Sequence, residues 1–192
     1  MNGIPDILSN AKSDVKQNTC STVNTIDMDF FENTLHWIKA ELFEAWFILA
    51  FGVITSLGGF LFWKIGTTPG SQSLLWPLVL SGLIYAGIGT GMLVSNQKRL
   101  AVFPPLYEQN ESAFVKAEKA RVEAFQYGYL VSKIVASVFF SATLFIFWTT
   151  KNAAWQGIGI GLSYFALAGL VIDYFSQERA DFYYHTILKY LH

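Results

Sequence analysis

A chain of 192 residues that is 53% hydrophobic and 14% charged falls well below the charge content of about 25% usual in soluble domains. An ordinary soluble surface is therefore excluded. A net charge of −1 leaves no electrostatic footprint for nucleic acid. Seventeen Phe, nine Tyr and six Trp point instead to contact with lipid.

The N-terminal stretch, residues 1–25, is polar and is expected to be a disordered tail. It holds no apolar core of the kind a cleavable signal peptide needs, so insertion is expected to rest on internal segments. Cys20, the one cysteine, has no intramolecular disulfide partner and says nothing about redox compartment. Residues 27–42, with Phe30, Phe31, Leu35 and Ile38 among polar neighbours, predict an amphipathic entry segment.

Four uncharged runs follow, Ala45–Trp63, Leu74–Ser95, Ile134–Thr150 and Asn152–Ile172. Each is close to the ~20 residues that cross a bilayer as a helix. The expected spans are about 43–64, 74–95, 130–150 and 153–173. None has the polar face that a soluble amphipathic helix requires. Between the second and third spans, "VFPPLYEQN" is expected to break any helix, because two prolines remove donors. A new helix is then expected near "NESAF", capped by Asn110 or Ser112 and running through 110–129 into the third span. Its apolar stripe is Phe114, Val115, Val122, Phe125 and Tyr129. After the fourth span, 174–191 forms a third amphipathic segment, suited either to the membrane interface or to folding back on the central helix. The fold class is thus an all-α membrane protein: four transmembrane helices in two hairpins, with amphipathic cytoplasmic helices.

Basic residues set the direction. Lys12, Lys16, Lys39, Lys98, Arg99, Lys116, Lys119, Arg121, Lys133, Arg179 and Lys189 share one side of the spans, and only Lys64 and Lys151 lie on the other. Both termini and the central connection are therefore expected in the cytoplasm. Trp63, Trp76, Trp148 and Trp155 fall together at the outer interface, where an indole keeps its ring in lipid and its N–H near water. Trp37 and Trp46 fall near the inner one.

Small residues at four-residue spacing mark close helix approach in lipid. They are Gly52 and Ser56 in the first span, Gly87 and Gly91 in the second, and Gly157 and Gly161 in the fourth. They serve either intramolecular packing or a homo-oligomer.

No Asp, Glu, Lys, Arg or His lies in the four runs. Ion-coupled carriers and voltage sensors place such groups within the membrane, so their absence argues against a carrier or channel. The spans hold no histidine to activate a nucleophile, and no Gly-rich phosphate loop is present, so the chain is expected not to be an enzyme and to need no cofactor. Glu178, Asp181 and His185 share one helix face that His36 could approach. A metal site is the sharper reading of that face, and a solvated polar face the preferred one. Glu118 lies on an apolar stripe and needs a partner. A local pair with Arg121 is the simpler answer. The bolder expectation crosses the bundle, with Glu178 and Arg179 meeting Arg121 and Glu118.

The stretch "NQKRL…AFVKAEKARVEAFQYGYLVSKI…WQGIGIGLSYFALAGLVIDYFSQERADFYYHTIL" resembles a poorly characterised group of small four-helix inner-membrane proteins of Gram-negative bacteria. The matching positions are Gln97, Glu118, Arg121, Phe125, Trp155, Gly157, Gly159, Gly161, Leu162, Asp173, Glu178, Arg179, Ala180 and Tyr183. The resemblance covers about residues 43 to 188 and departs at Ser176-Gln177. It implies partner or structural roles for Gln97, Glu118, Arg121, Asp173, Glu178, Arg179 and Tyr183. It also implies, for some members, immunity against a secreted membrane-targeting toxin. The alternative is a structural or regulatory membrane subunit that binds a protein partner through its cytoplasmic layer.

Overall fold

The computed structural model describes residues 5–191, with side-chain surroundings given for residues 30–191. Its elements are α1 (Pro5–Ile65), the short α2 (Pro69–Ser73), α3 (Leu75–Gln109), α4 (Glu111–Thr149) and α5 (Ala153–Leu191). The expected tail at residues 1–25 falls where side chains lie outside the described residues, and from Pro5 its backbone belongs to α1. The four long helices are each long and apolar enough to cross a membrane, which defines a multi-pass, all-α fold. Two pairs dominate: α1 packs along α3 and α4 along α5, with sparse contact between the pairs.

At 1.5 Å per residue, the 39 residues of α4 or α5 run about 58 Å, well beyond a hydrocarbon core of about 30 Å. The connections at the Trp-rich end are short, so the excess all projects from the opposite end. The amphipathic segments are therefore not separate helices in the interface plane. They continue the spans and pack on one another, forming a four-helix base.

Local signals explain the helix ends. Asn110, with extended backbone, accepts a hydrogen bond from the Ala113 amide at 3.0 Å and caps α4. Thr68 and Ser71 form a reciprocal capping box for α2. The expectation that Pro104 and Pro105 break the helix is overturned, since α3 continues through both to Gln109. Two missing donors near a helix end cost little beyond the final turn, and aromatic packing holds that turn in place. Phe103 and Tyr107 meet Phe114 edge-on at 5.1 and 5.5 Å, and Tyr107 stacks on Phe31 at 4.7 Å.

The hydrophobic core lies in the base. Phe30, Trp37, Ile38, Phe103, Phe114, Val115, Val122, Tyr183 and Ile187 form it, drawing on all four long helices. Trp37, expected at the inner interface, is buried there against Tyr183, with ring centroids 5.0 Å apart. The apolar stripe predicted for α4 supplies four of its five members to buried positions, and Phe125 remains exposed.

In the membrane half, glycine sets the close approaches. A Cβ on Gly52 would lie 2.6 Å from the Gly82 carbonyl, and one on Gly82 would lie 2.3 Å from Ser56 Oγ. Gly89 faces Ala45 and Leu49, Gly157 faces Ser73, and Gly161 faces Pro77. Gly52, Ser56, Gly157 and Gly161 thus pack as expected. Gly87 and Gly91 do not pack within the chain, because a Cβ at either position would face open space. On α3 the face that meets α1 is set by Gly82 and Gly89, and Gly87 and Gly91 fall on the opposite face.

Candidate functional site

Where the apolar runs give way to the base, each long helix contributes polar groups to one buried layer. From α1 come Thr34, Glu41 and Glu44; from α3, Asn96; from α4, Glu118; from α5, Ser176; all are buried. A carboxylate leaves water only with partners, since an unpaired buried charge is too costly. Two arginines supply them.

Arg121 answers Glu118 within α4. Its Nε donates to Glu118 Oε1 at 2.8 Å and its Nη2 to Oε2 at 2.5 Å, a two-pronged geometry that lysine cannot reproduce. The guanidinium also lies 4.6 Å from the centre of the Trp37 ring, a cation–π contact that links α4 to α1. Tyr183 donates to Glu118 Oε2 at 3.2 Å and shares a hydrogen bond with Thr34 at 2.9 Å. One glutamate thereby joins α4, α5 and α1. Burial, with Glu118 beside it, pushes the Tyr183 hydroxyl well above its usual value.

Arg179 answers α1. Its Nη2 donates to Glu44 and lies 4.0 Å from Glu41 Oε1. Glu41 lies four residues before the apolar run, and burial, reinforced by the neighbouring Glu44 charge, pushes its carboxyl up to about 7. On α3, Asn96 accepts from Arg99 Nη1 at 2.7 Å. Polar rungs continue between α4 and α5, where Tyr129 donates to Ser176 at 3.0 Å and Gln126 to Asp181 at 2.9 Å.

The crossed pairing of Glu178 and Arg179 with Arg121 and Glu118 is thereby overturned. Glu118 takes the nearer partner on its own helix, three residues on, and Arg179 faces α1 rather than α4. Glu178 is exposed and makes no ion pair among the described residues. Gln97 is exposed; its buried neighbour is Asn96. Asp173 is half-buried, with no hydrogen-bond partner at Oδ2. Tyr183 joins the layer as a central member. Among the described residues no three His, Cys, Asp or Glu side chains form a metal-binding set, so His36, Glu178, Asp181 and His185 do not converge. His36 lies instead 3.9 Å from Glu32 on its own helix.

Reading by residue type missed Glu41, Glu44, Asn96, Thr34 and Ser176. The signal for the two glutamates was present in "HWIKAELFEAW", where acids three apart sit among large apolar residues. The same partner argument applied to Glu118 would have singled them out. Nothing comparable marked Asn96, Thr34 or Ser176, whose burial depends on which face each helix turns inward.

Hydroxyl groups tie the two pairs together inside the membrane half. Tyr85 donates to the Phe165 carbonyl at 2.6 Å, and Thr55 and Tyr164 share a hydrogen bond at 2.8 Å. Elsewhere the pairs stand apart. Between α1 and α5 lies an open groove of about 610 Å³ lined by Phe47, Phe51, Leu167 and Val171, with Glu44 and Arg179 also on its wall.

No family model, curated protein or solved structure matches this chain. Fold and site define its class: a multi-pass, all-α membrane protein with a buried charge layer between membrane and base.

Proposed function

We propose that this chain is an inner-membrane protein of a Gram-negative bacterium that acts by binding a membrane partner and carries out no catalysis. The observation that carries the reading is the outward face of α3. Gly87 and Gly91 stand one turn apart with open space beyond them, flanked by exposed Leu83 and Val94. Small residues on a lipid-facing helix let a second helix approach to backbone contact, where packing rather than the hydrophobic effect drives association. The glycines that build this fold, Gly52, Gly82 and Gly89, are already used. A helix of a pore-forming toxin is the partner that the resemblance suggests, and protection from that toxin the role. A second copy of the chain is the competing occupant of the same face.

The basic residues orient the base toward the cytoplasm, with both termini there. Reporter fusions at Gly70 and Asn152 are expected to read as periplasmic, and one at His192 as cytoplasmic. For the partner, the test is toxin challenge. Cells carrying a toxin encoded beside this gene should depolarise on contact with sister cells when the gene is deleted. Wild-type protein should restore protection, and a Gly87→Leu, Gly91→Leu double variant, expressed at equal level, should not. Protection by the double variant would remove α3 from the reading. A base projecting far beyond the bilayer favours, as a second reading, a structural or regulatory subunit that docks a cytoplasmic protein. Loss of fitness without any toxin would support that one.

A further inference from the structure

Arg179 belongs to two cavities. On its membrane side it closes the apolar groove between α1 and α5, about 610 Å³. On its base side it borders a second groove of about 420 Å³ between the same helices, lined by polar groups that include Asn33, His36, Glu178 and Thr186. Trp37 also lines this second groove. The two cavities make one cleft along the α1–α5 seam, oily at one end and polar at the other. Glu44, the partner of Arg179, immediately precedes the first apolar run, which sets the guanidinium at the edge of the hydrocarbon layer.

Two residues that line this cleft, Trp37 and Arg179, each carry a buried donor with no hydrogen-bond partner, Nε1 and Nε. The Trp37 side chain is more than nine-tenths buried, and a buried N–H without an acceptor is costly enough to be rare in folded proteins. Both orphaned groups are donors, so the complementary ligand brings acceptors. Glu178, exposed on the same wall and free of any ion pair among the described residues, would face a positive group. The size of the apolar groove falls within the ~300–1,000 Å³ range of ligand sites, and it opens laterally where lipid is at hand.

We propose that this cleft binds one zwitterionic phospholipid, with an acyl chain between α1 and α5, its phosphate at Arg179 and Trp37, and its ammonium at Glu178. The membrane reading of the chain is all this inference requires; it is independent of any partner on α3. A phosphoethanolamine headgroup supplies both charges with a primary ammonium small enough for the polar groove. An anionic headgroup would bring a second acceptor face against Glu41, Glu44 and Glu178. A headgroup with a bulky quaternary ammonium would offer Glu178 no N–H to donate.

The test is native mass spectrometry of the full-length protein released from nanodiscs made of equal parts phosphatidylethanolamine, phosphatidylglycerol and phosphatidylcholine. One phosphatidylethanolamine per chain should survive activation that strips the other lipids. Ala168→Trp, which fills the apolar groove, should lower that retention about tenfold. Trp37→Phe keeps an aromatic ring but deletes the donor, and should lower it about threefold to tenfold. Circular dichroism should find both variants as helical as the wild type, and if Ala168→Trp fails to fold, Trp37→Phe alone decides. Equal retention of all three lipids, preference for phosphatidylglycerol or phosphatidylcholine, no retained lipid, or retention unchanged in the folded variants would each overturn the proposal.

Discussion

The base and the membrane half are built from the same four helices, yet they are held together by different means. In the base, large aromatic and branched side chains from every long helix interlock around Ile38, Val115 and Ile187, all fully buried. Around them, buried carboxylates meet arginines. In the membrane half, Leu144, Phe145 and Trp148 lie exposed along α4, and contact depends on glycine, serine and a few hydroxyl bonds. The contrast follows from the solvent. Water drives apolar side chains inward in the base. Lipid offers no such drive, so helices meet in the membrane only where small residues let backbones come close. The open α1–α5 groove belongs to the second regime and ends where the first begins.

Breaking the charge layer should have the largest effect. Arg121→Met leaves Glu118 buried with only Tyr183 as donor, and removing one member of a buried pair costs about 3–5 kcal/mol. Thermal unfolding in detergent should register the loss as a sharply lowered Tm. Core truncation comes next and separates the two halves directly. Ile187→Ala in the base should cost about 2–5 kcal/mol, whereas Leu144→Ala on the lipid face should leave Tm nearly unchanged. Equal losses from the two would mean that the membrane half is packed as tightly as the base.

Glycine substitutions sharpen the comparison within one helix. Gly82→Leu drives a side chain into the backbone of α1 and should destabilise by about 1–3 kcal/mol or more. Gly87→Leu meets open space and should leave the fold unchanged, which is the property its use in the toxin test requires.

The smallest expected effect is a pH dependence. Burial raises the folded-state value of Glu41 from 4.5 to about 7, so the folded protein keeps this proton after the unfolded chain has lost it. The contribution of Glu41 is therefore fullest below about pH 4.5 and is lost as pH rises toward about 7. Glu41→Gln should flatten that slope. It should raise stability by about 1–2 kcal/mol above pH 7, since each pKa unit is worth about 1.4 kcal/mol and part is returned through the lost attraction to Arg179. A variant whose melting profile parallels the wild type across this range would remove Glu41 from the account.

A charge swap between Glu118 and Arg179 should yield independent losses with no coupling in their melting temperatures. Arg179 reaches α1 while Glu118 is satisfied at i+3. Sequence offered both pairings and could not choose, because distances between helices depend on their rotation.

The four spans, their lengths and their pairing into two hairpins were determined by the sequence itself. Uncharged runs near twenty residues long have one stable place, and short polar connections leave consecutive helices side by side. The Asn110 cap was legible for a similar local reason, an acceptor one residue ahead of a helix. That the helix over 110–129 runs on into the third span was legible too; only the tertiary structure decided that the amphipathic segments pack on one another as a base, that α3 passes through two prolines, and that Gly82 and Gly89 rather than Gly87 and Gly91 meet α1. Each of these turns on which face a helix presents to its neighbours. Packing of all four helices at once sets that rotation, and no local pattern of residues encodes it.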